Sequence, residues 1–247
     1  MDDQILLFAA VGFCAQMIDG ALGMAYGVSS TTFLLSLGVP PAVASAGVHT
    51  AEVFTTMVSG VSHLRFGNVD RRLLKRLVIP GVIGGVLGAY VLTSVPGRVI
   101  KPFVAAYLLL MGIRIFWRAF RKVRESAGSY KRMFPLGLVG GFLDAIGGGG
   151  WGPVVTSTLV ANGHTPRYAI GSVNLSEFFV TVAEAITFFA LIGLVQWQIL
   201  VGLIIGGVVA APLAAYICKR VPTKALMIIV GIVITGLSLR TIFLAVL

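Results

Sequence analysis

Charged residues are scarce in this sequence, and acidic residues are the scarcest. Only 11 % of the 247 residues are charged and only nine are Asp or Glu, whereas 57 % are hydrophobic. The mean hydropathy is +0.97. Soluble domains carry roughly 25 % charged residues, so this composition excludes an ordinary soluble protein and predicts one that has lipid as its solvent. We expect a multi-pass protein of the cell (inner) membrane.

Cysteine is nearly absent, and several motifs that would indicate an enzyme are missing. Cys14 and Cys218 both lie in apolar stretches, so they indicate neither a disulfide framework nor a metal site. The chain contains no HExxH and no GxSxG. Asp19 and Asp144 could be paired in an intramembrane aspartyl protease, but the Gly-x-Gly-Asp pattern of such enzymes is absent. The sequence therefore predicts a protein that is not an enzyme.

The 19 basic residues give a formal charge of +10 and are unevenly distributed. Fifteen of them fall in three short segments between apolar stretches: residues 65–76, 114–132 and 219–224. The positive-inside rule places such segments in the cytoplasm, so the membrane, rather than nucleic acid, accounts for the basic charge. We predict that these segments are cytoplasmic and that both termini lie outside. No basic residue precedes the first apolar run, which argues against a cleavable signal.

The apolar stretches predict the membrane spans. A helix needs about 20 apolar residues to cross the hydrocarbon core. Six regions meet this length: residues 43–64, 73–95, 100–120, 170–191, 197–218 and 225–247. Two others, residues 4–37 and 133–161, are interrupted by glycines, and each is long enough for two short helices. Unwound backbone at membrane depth is tolerated only where protein buries it or water reaches it, whether these regions cross the membrane or re-enter it.

The two halves of the chain, residues 1–124 and 125–247, align as copies of one unit. At an offset of 125 residues, acids, glycines and prolines recur: Asp19 with Asp144, Gly23 with Gly148, Gly27 with Gly152, Pro41 with Pro166, and Glu52 with Glu177. Apolar segments often agree by chance, but matched acids, glycines and prolines do not. The chain therefore contains an internal repeat.

The charge of the connecting segments gives the repeat a direction. The basic segment at 65–76 aligns with a neutral segment at 192–198. A one-residue insertion makes the offset 126 from Gly67 onward, so the weakly charged turn at Pro96 aligns with the basic turn at Pro222. Under the positive-inside rule, this exchange predicts that the halves lie in opposite orientations. We predict an all-α membrane protein of two inverted repeats, with broken helices or helical hairpins near the midplane, as in secondary transporters.

Five acids lie inside apolar stretches: Asp19, Glu52, Asp144, Glu177 and Glu184. An ionisable residue at the bilayer centre costs at least ~2.5 kcal/mol. Burial disfavours the charged form of a carboxyl, which is what a proton carrier requires. The candidates for proton coupling are Glu52, Glu177, Asp19, Asp144 and His49, which shares a helical face with Glu52. Alternatively, the aspartates cap the broken helices and His49 is a satisfied interior histidine. Glu184 aligns with Ser59 and is the least certain candidate.

The glycine-rich breaks are the candidate substrate site. Helices that restart after a break point their N–H groups and positive dipole ends at the unwound segment, and glycine allows a ligand to approach closely. The predicted substrate-binding residues are Gly23, Gly27, Ser29, Ser30, Gly147, Gly148, Gly149, Gly150, Trp151, Gly152 and Asn174. The alternative is that the glycines serve close helix packing. Four glycines in a row fit that role poorly, because each lowers helix propensity by about 1 kcal/mol.

The duplicated pattern resembles that of the sulfite exporter TauE/SafE family. Each half has an Asp before a glycine-rich break, then a Gly-x-x-Pro turn and a Glu-bearing helix. The clearest stretches are DAIGGGGWGPVV from Asp144 and DGALGMAYGVSS from Asp19. The resemblance covers nearly the whole chain, although the first copy lacks the full glycine run and a match to Pro153. It implies a permease for sulfite, organosulfonates or other sulfur-containing anions, with no bound cofactor.

We therefore expect a transporter that moves a small sulfur oxyanion or sulfonate across the lipid bilayer by alternating access, with protons as the coupling ion and no nucleic-acid partner. Movement of one repeat against the other would expose the two glycine breaks to each side in turn. The alternative is an anion channel for similar substrates, in which the buried acids are structural. Flux that never exceeds its gradient under an imposed pH difference would favour the channel.

Overall fold

The structure is a computed structural model that describes residues 2–22, 24–121, 129–193, 197–217 and 223–246, and these residues form helices and no strands. The α-helices are α1 (Asp2–Leu22), α2 (Tyr26–Ser36), α3 (Pro41–Arg65), α4 (Arg71–Ser94), α5 (Gly97–Arg118), α6 (Met133–Gly147), α7 (Ser157–Ala161), α8 (Pro166–Ile192), α9 (Trp197–Ile217) and α10 (Thr223–Val246), and a π-helical segment, π1, covers Trp151–Thr156. The all-α prediction is confirmed for this part of the chain. Several positions used in the sequence argument lie outside the described residues: Gly23, Cys218, Pro222 and parts of two basic segments, 122–128 and 219–222.

Each glycine-rich region contains a helix end followed by a new helix start. Residues 23–25 separate α1 from α2, and Ala25 has a φ of 93°. Residues 148–150 separate α6 from π1, and there Gly148 and Gly149 have φ values of 62° and 149°. These backbone conformations favour glycine, which has no Cβ to clash. The second region is therefore two helical segments, α6 and π1–α7, joined by a glycine turn.

Four helices are long and apolar enough to cross a membrane, and they lie in α4, α5, α8 and α10. They match four of the six predicted spans. Helix α3 has 25 residues but carries buried polar groups, including His49 and Glu52, and it is not among the four. In α9 the described apolar stretch is Trp197–Ala211. Large apolar side chains are exposed on the outer faces of the four helices, as lipid requires; examples are Ile79, Phe103, Phe189 and Phe243.

The two halves of the chain interlock. Helix α1 packs against α9 and α4 packs against α6, while α3 pairs with α8 and α5 pairs with α10. When the two halves are aligned, α1 corresponds to α6 and α9 corresponds to α4. The contact of α1 with α9 is therefore equivalent to the contact of α6 with α4. Both contacts are close, because a Cβ at Gly84 would overlap the backbone of Leu138 and one at Gly206 would overlap that of Ala9. Small residues allow this approach between membrane helices.

One end of the bundle carries most of the described basic residues, and we name it the basic end. Tyr130 Oη donates to Asp70 Oδ2 (2.6 Å), and Arg76 Nη1 donates to the Tyr130 carbonyl (3.0 Å). The Tyr130 and His164 rings are in edge contact, with centroids 5.1 Å apart. Although partial burial opposes it, the hydrogen bonds from Tyr130 and two backbone N–H groups hold the pKa of Asp70 below its ordinary value. The start of α4, the start of α6 and the end of α7 therefore meet at the basic end.

The region from α6 to α7 enters the bundle and returns at the basic end, because both of its ends lie there. The other end contains the α2–α3 connection, where Arg240 Nη1 of α10 donates to the Ser36 carbonyl (2.7 Å). The α4–α5 connection lies there too, since a Cβ at Gly97 would be 3.9 Å from Pro41. This end, marked by Ser36 and Gly97, is the opposite end.

Helices α1 and α2 form the equivalent arrangement from the opposite end. Along α9, Gly202 faces Phe8 and Gly206 faces Phe13, so α1 and α9 run in the same direction. Helix α8 runs from the basic end to the opposite end, where α9 then begins. Helix α1 therefore starts at the opposite end, and α2 returns to it at Ser36.

Candidate functional site

A group of ionisable side chains is buried within the otherwise apolar interior of the bundle. Five carboxyl side chains are buried in it: Asp19, Glu52, Asp144, Glu177 and Glu184. His49 is fully buried beside them. In the described part of the chain it is the only basic side chain within 4.0 Å of these acids. Ionisable residues that face the interior of a membrane helix bundle are candidates for function by default.

His49 lies where three carboxyls meet. Its Nε2 atom is 3.0 Å from Oε2 of Glu184 and 3.6 Å from Oδ2 of Asp144. The same atom is 3.9 Å from Oε2 of Glu52. The imidazole stacks on the ring of Phe188, with centroids 6.0 Å apart. Helices α3, α6 and α8 supply the four polar residues, which we name the histidine–carboxylate cluster.

The backbone of α3 sets the tautomer of His49. Nδ1 lies 2.7 Å from the carbonyl oxygen of Ser45, which can only accept, so Nδ1 carries the hydrogen. The Ser45 hydroxyl donates to the carbonyl of Ala145 (2.6 Å) and is therefore an acceptor toward Nδ1 (3.1 Å). Nε2 is thus the imidazole atom that is available to the three carboxyls.

Helices α3 and α8 meet at two places that are equivalent when the halves are aligned, and the side chains differ between the two places. At the repeat offset, His49 aligns with Asn174. Likewise, Glu184 aligns with Ser59. Ser59 Oγ donates to Asn174 Oδ1 (2.9 Å), and Asn174 Nδ2 donates to the Ile170 carbonyl (3.1 Å). That pair is neutral and hydrogen-bonded. In the other pair, His49 Nε2 and both oxygens of Glu184 have no hydrogen-bond partner in the described part of the chain.

Helix α4 leaves room for the Glu184 carboxyl at a glycine. A Cβ at Gly85 would be 2.5 Å from Oε1 and 2.8 Å from Cγ of Glu184. The sequence places Glu184 two helical turns after Glu177 on one face of α8, but the aligned Ser59 is not acidic, so the repeat gives Glu184 no support as a site residue. The sequence contains no signal for its contact with His49.

Asp144 also binds the start of π1. Its Oδ1 atom accepts the N–H groups of Gly150 (2.5 Å) and Trp151 (2.9 Å). Asp19 takes the equivalent place in the first half, with a hydrogen bond from the backbone N–H of Tyr26. The backbone N–H groups that the sequence analysis expected to bind a substrate thus donate to these two aspartates, which act as helix-capping residues do. The contacts favour the capping interpretation of both aspartates.

The two helix breaks touch in the centre of the bundle. A Cβ at Gly27 would be 2.6 Å from Cα of Gly149. Thr31 Oγ1 donates to the carbonyl of Gly148 (2.5 Å), which ties α2 to the second break. Tyr107 Oη, which the sequence does not single out, donates to the carbonyl of Gly149 (3.3 Å). A side chain at either Gly27 or Gly149 would therefore overlap the backbone of the other half.

The aligned aromatic residues Tyr26 and Trp151 are buried in equivalent places. Trp151 Nε1 donates to the carbonyl of Val173 (3.2 Å), and Tyr26 Oη donates to that of Leu203 (3.2 Å). A glycine of α4 lies beneath the Trp151 ring, and a glycine of α9 lies beneath the Tyr26 ring. Both aromatic residues are packed and hydrogen-bonded, so they anchor the two helix starts.

Among the other predicted substrate residues, Ser29 and Ser30 have free hydrogen-bonding capacity. Their hydroxyls lie in the first turn of α2, and within the described part of the chain neither has a hydrogen-bond partner. The aligned residues in π1, Val154 and Val155, have no hydroxyl. Three further predicted residues pack against protein atoms or lie buried in π1: Gly147, Gly150 and Gly152.

Glu177 lies on α8, two turns before Glu184, and at 8 % it is the most exposed of the five buried acids. The groups that interact with it electrostatically are all carboxyls: Asp19, Glu52, Asp144 and Glu184. Glu177 therefore stays a candidate for proton coupling, surrounded by other acids.

Known proteins resemble this chain over nearly its whole length. The sequence model of the family described as "Sulfite exporter TauE/SafE" matches residues 8–241. The chain is 43 % identical over 248 residues to "Probable membrane transporter protein YtnM" of Bacillus subtilis (strain 168), which covers 97 % of this chain and 83 % of that protein. It is 25 % identical over 231 residues to "Probable membrane transporter protein YdhB" of the same organism, which covers 90 % and 92 %. No solved structure matches it. The chain therefore belongs to the sulfite exporter TauE/SafE family, and it is a membrane transporter.

Proposed function

We propose that this protein moves a small sulfur-containing anion (sulfite, an organosulfonate or a related oxyanion) across the cell membrane by alternating access coupled to protons. Membership of a family described as sulfite exporters supports the anion. The contact between the two helix breaks at Gly27 and Gly149 is the observation that supports the proposed position of the substrate site.

Two inverted repeats, residues 1–124 and 125–247, are the proposed moving parts. Their support is the contact of α1 with α9, repeated as α6 with α4, and the two broken regions that start at opposite ends of the bundle. The basic end is cytoplasmic in this proposal, because basic residues are retained on that side, and both termini are then outside. Secondary transporters built this way bind substrate where the broken helices of the two repeats meet.

The anion binds at the start of α2 in this proposal. The first N–H groups of a helix have no partner within it, and the positive end of the dipole attracts an anion. The unpartnered hydroxyls of Ser29 and Ser30 add two donors there. Asp19 accepts one N–H group at the start of α2, from Tyr26, whereas Asp144 accepts two at the start of π1, from Gly150 and Trp151, and no aligned hydroxyls are present there, so the start of π1 is less suited.

Glu177 is the proposed proton carrier. It is neutral while protein surrounds it and releases its proton when the site opens to water on one side. The neighbouring carboxyls of α1, α3, α6 and α8 favour that neutral form in the closed state. Proton movement is then linked to the conformational change that moves the anion.

Purified protein in proteoliposomes tests the proposal. We expect uptake of at least one of sulfite, thiosulfate, sulfoacetate, taurine and sulfate, but not of carboxylate controls, and accumulation beyond the imposed anion gradient when a pH difference is applied. Flux that never exceeds its own gradient would show a channel instead. No flux of any sulfur-containing anion would refute the substrate class.

The Glu177→Gln variant tests the coupling. Glutamine keeps the shape of the side chain but cannot titrate, so we expect anion binding in detergent to persist while stimulation by the pH difference is lost. Binding to the variant, measured by thermal shift with the same anions, is the control for folding. A full response to the pH difference in Glu177→Gln would place the coupling group elsewhere.

A further inference from the structure

We propose that His49, Asp144 and Glu184 form a binding site for a divalent transition-metal ion of the Zn²⁺ or Mn²⁺ type. One ligand atom of each residue lies within 4.8 Å of the other two. The residues come from α3, α6 and α8, and their side chains are 0 %, 1 % and 0 % exposed. They are separated by 95 and 40 residues in the sequence, so no ligand spacing in the chain reveals them.

The ligand atoms lack other partners. His49 Nε2, Asp144 Oδ2 and both oxygens of Glu184 are buried, and apart from their contacts with one another they have no hydrogen-bond partner in the described part of the chain. Buried polar atoms are almost always satisfied by protein, water or an ion. Two carboxylates and one imidazole lone pair present acceptors only, so a cation satisfies all three residues at once.

Contacts from the surrounding backbone hold two of the ligands in place. The Nδ1–H of His49 donates to the carbonyl of Ser45 (2.7 Å), which points Nε2 into the cluster. Oδ1 of Asp144 accepts two backbone N–H groups, which leaves Oδ2 for an ion. Metal-binding histidines and carboxylates are oriented by such hydrogen bonds.

The mixture of ligand atoms selects the class of ion. Mg²⁺ and Ca²⁺ prefer sites made of oxygen, whereas imidazole favours ions of the Zn²⁺ type. The Nε2 atom is 3.0 Å from Glu184 Oε2 and 3.6 Å from Asp144 Oδ2. Both distances are short enough for one ion at roughly 2.0–2.2 Å from each atom. Glu52, whose Oε2 is 3.9 Å from Nε2, lies beside the ion and is not needed as a ligand.

A bound ion would change the charge of the bundle centre. Ionised carboxyls in the bundle centre repel an anion, and a divalent cation offsets two such charges while three protein ligands leave a coordination position open. A role for the ion in holding the transported anion rests on the proposed function. The binding of the ion itself does not.

Metal binding can be measured on the purified protein without transport. The full chain, with any affinity tag removed, is stripped with EDTA and then titrated with Zn²⁺, Mn²⁺, Mg²⁺ or Na⁺ by calorimetry, and the bound metal is counted by elemental analysis. We expect about one Zn²⁺ or Mn²⁺ ion per chain and a raised melting temperature, with no saturable binding of Mg²⁺ or Na⁺.

Matched variants separate this site from surface binding. Glu184→Gln removes one ligand with little change of shape, and we expect it to weaken binding by more than about 100-fold. Ser59→Ala changes the residue that aligns with Glu184, in the neutral contact of α3 with α8, and should leave the affinity unchanged. Gel filtration and thermal melting of both variants show whether they fold, and His49→Gln serves if Glu184→Gln does not.

Absence of stoichiometric Zn²⁺ or Mn²⁺ binding in the wild type would overturn the proposal and leave a cluster that holds protons only. Affinity that is unchanged in Glu184→Gln would also overturn it, because the ion would then be bound elsewhere. Failure of sulfite transport with metal binding intact would refute the proposed function and leave the metal site standing.

Discussion

The two contacts between α3 and α8 share one geometry and differ in charge. Ser59 and Asn174 meet at 2.9 Å as a neutral hydrogen-bonded pair. Their aligned counterparts, Glu184 and His49, meet at 3.0 Å and leave buried polar atoms without partners. A buried ion pair is weak evidence for stability, because the cost of desolvation can exceed the attraction between the charges. The charged pair is therefore the one of the two that suggests a function.

The two halves also differ in sequence at other positions of the bundle interior. Gly85 leaves space for the Glu184 carboxyl, whereas the aligned residue near the neutral pair is Ala211. Ser29 and Ser30 have hydroxyls where the second half has valines. We predict that the positions at which the two aligned halves differ are the ones that determine the chemistry of the protein.

Conversion of the charged pair into a copy of the neutral one should have the largest effect. In the double variant His49→Asn/Glu184→Ser, we expect sulfite transport in proteoliposomes to fall by more than about 100-fold and Zn²⁺ binding to be lost. The protein should stay folded, because replacement of buried charges by neutral groups is often tolerated or stabilising. Transport within a few-fold of the wild type, in a variant shown to be folded, would mean that the charged pair is structural.

A substitution that fills the space beside the Glu184 carboxyl should have the next largest effect on transport. Gly85→Ala places a methyl group 2.5 Å from Oε1 of Glu184, so the carboxyl must move and its geometry toward His49 changes. Misplacement of a functional group by about 1 Å costs on the order of 100-fold, so we expect transport to fall roughly 10- to 100-fold. The reverse change at the aligned position, Ala211→Gly, is the control and should lower only helix stability, by about 1 kcal/mol. Equal losses of transport in the two variants would contradict this account.

The helical architecture could be read from the sequence to a large extent. The predicted spans at 73–95, 100–120 and 170–191 coincide within a few residues with α4, α5 and α8. Their apolar length determines them. The span predicted at 43–64 coincides with α3 (Pro41–Arg65), although α3 is not among the helices of the described residues that are apolar enough to cross a membrane by composition.

The candidate site was harder to predict, because its contacts join distant parts of the chain. His49 was identified with Glu52 from helical spacing, but its closest carboxyl is Glu184, 135 residues away. Whether Asp144 binds a substrate or caps a helix depends on backbone N–H groups whose direction the sequence does not reveal. The close packing of Gly149 against α2 was also not foreseen. A bulky residue there would disturb folding and binding together.

The hydroxyls at the start of α2 should have a smaller effect, confined to the anion. In Ser29→Ala/Ser30→Ala the first half acquires the apolar character of Val154 and Val155. Hydrogen bonds to charged groups contribute about 1.5–3 kcal/mol each, so we expect anion affinity to fall by about tenfold or more with little loss of stability. Thr32→Val is the matched control, because the Thr32 hydroxyl bonds to its own helix at Val28. Unchanged affinity in the double alanine variant would move the anion site away from α2.

The smallest effect should follow from a change to the neutral pair itself. Ser59→Ala removes the hydroxyl that donates to Asn174 Oδ1 and leaves the buried amide with one bond fewer. A typical buried hydrogen bond contributes about 1 kcal/mol, which corresponds to a fall in melting temperature of roughly 2–4 °C for a chain of this size.

Ser59 and Asn174 are neutral and hydrogen-bonded to each other. We therefore expect Ser59→Ala to keep anion affinity and transport within about twofold of the wild type. Asn174 was predicted from the sequence as a substrate-binding residue, so the same variant tests that assignment. If Ser59→Ala leaves the melting temperature unchanged but abolishes anion binding, the amide of Asn174 binds the substrate and both pairs are functional. If stability falls and transport persists, the Ser59–Asn174 pair is a structural link between α3 and α8. Of the two aligned pairs, only His49 and Glu184 would then take part in transport.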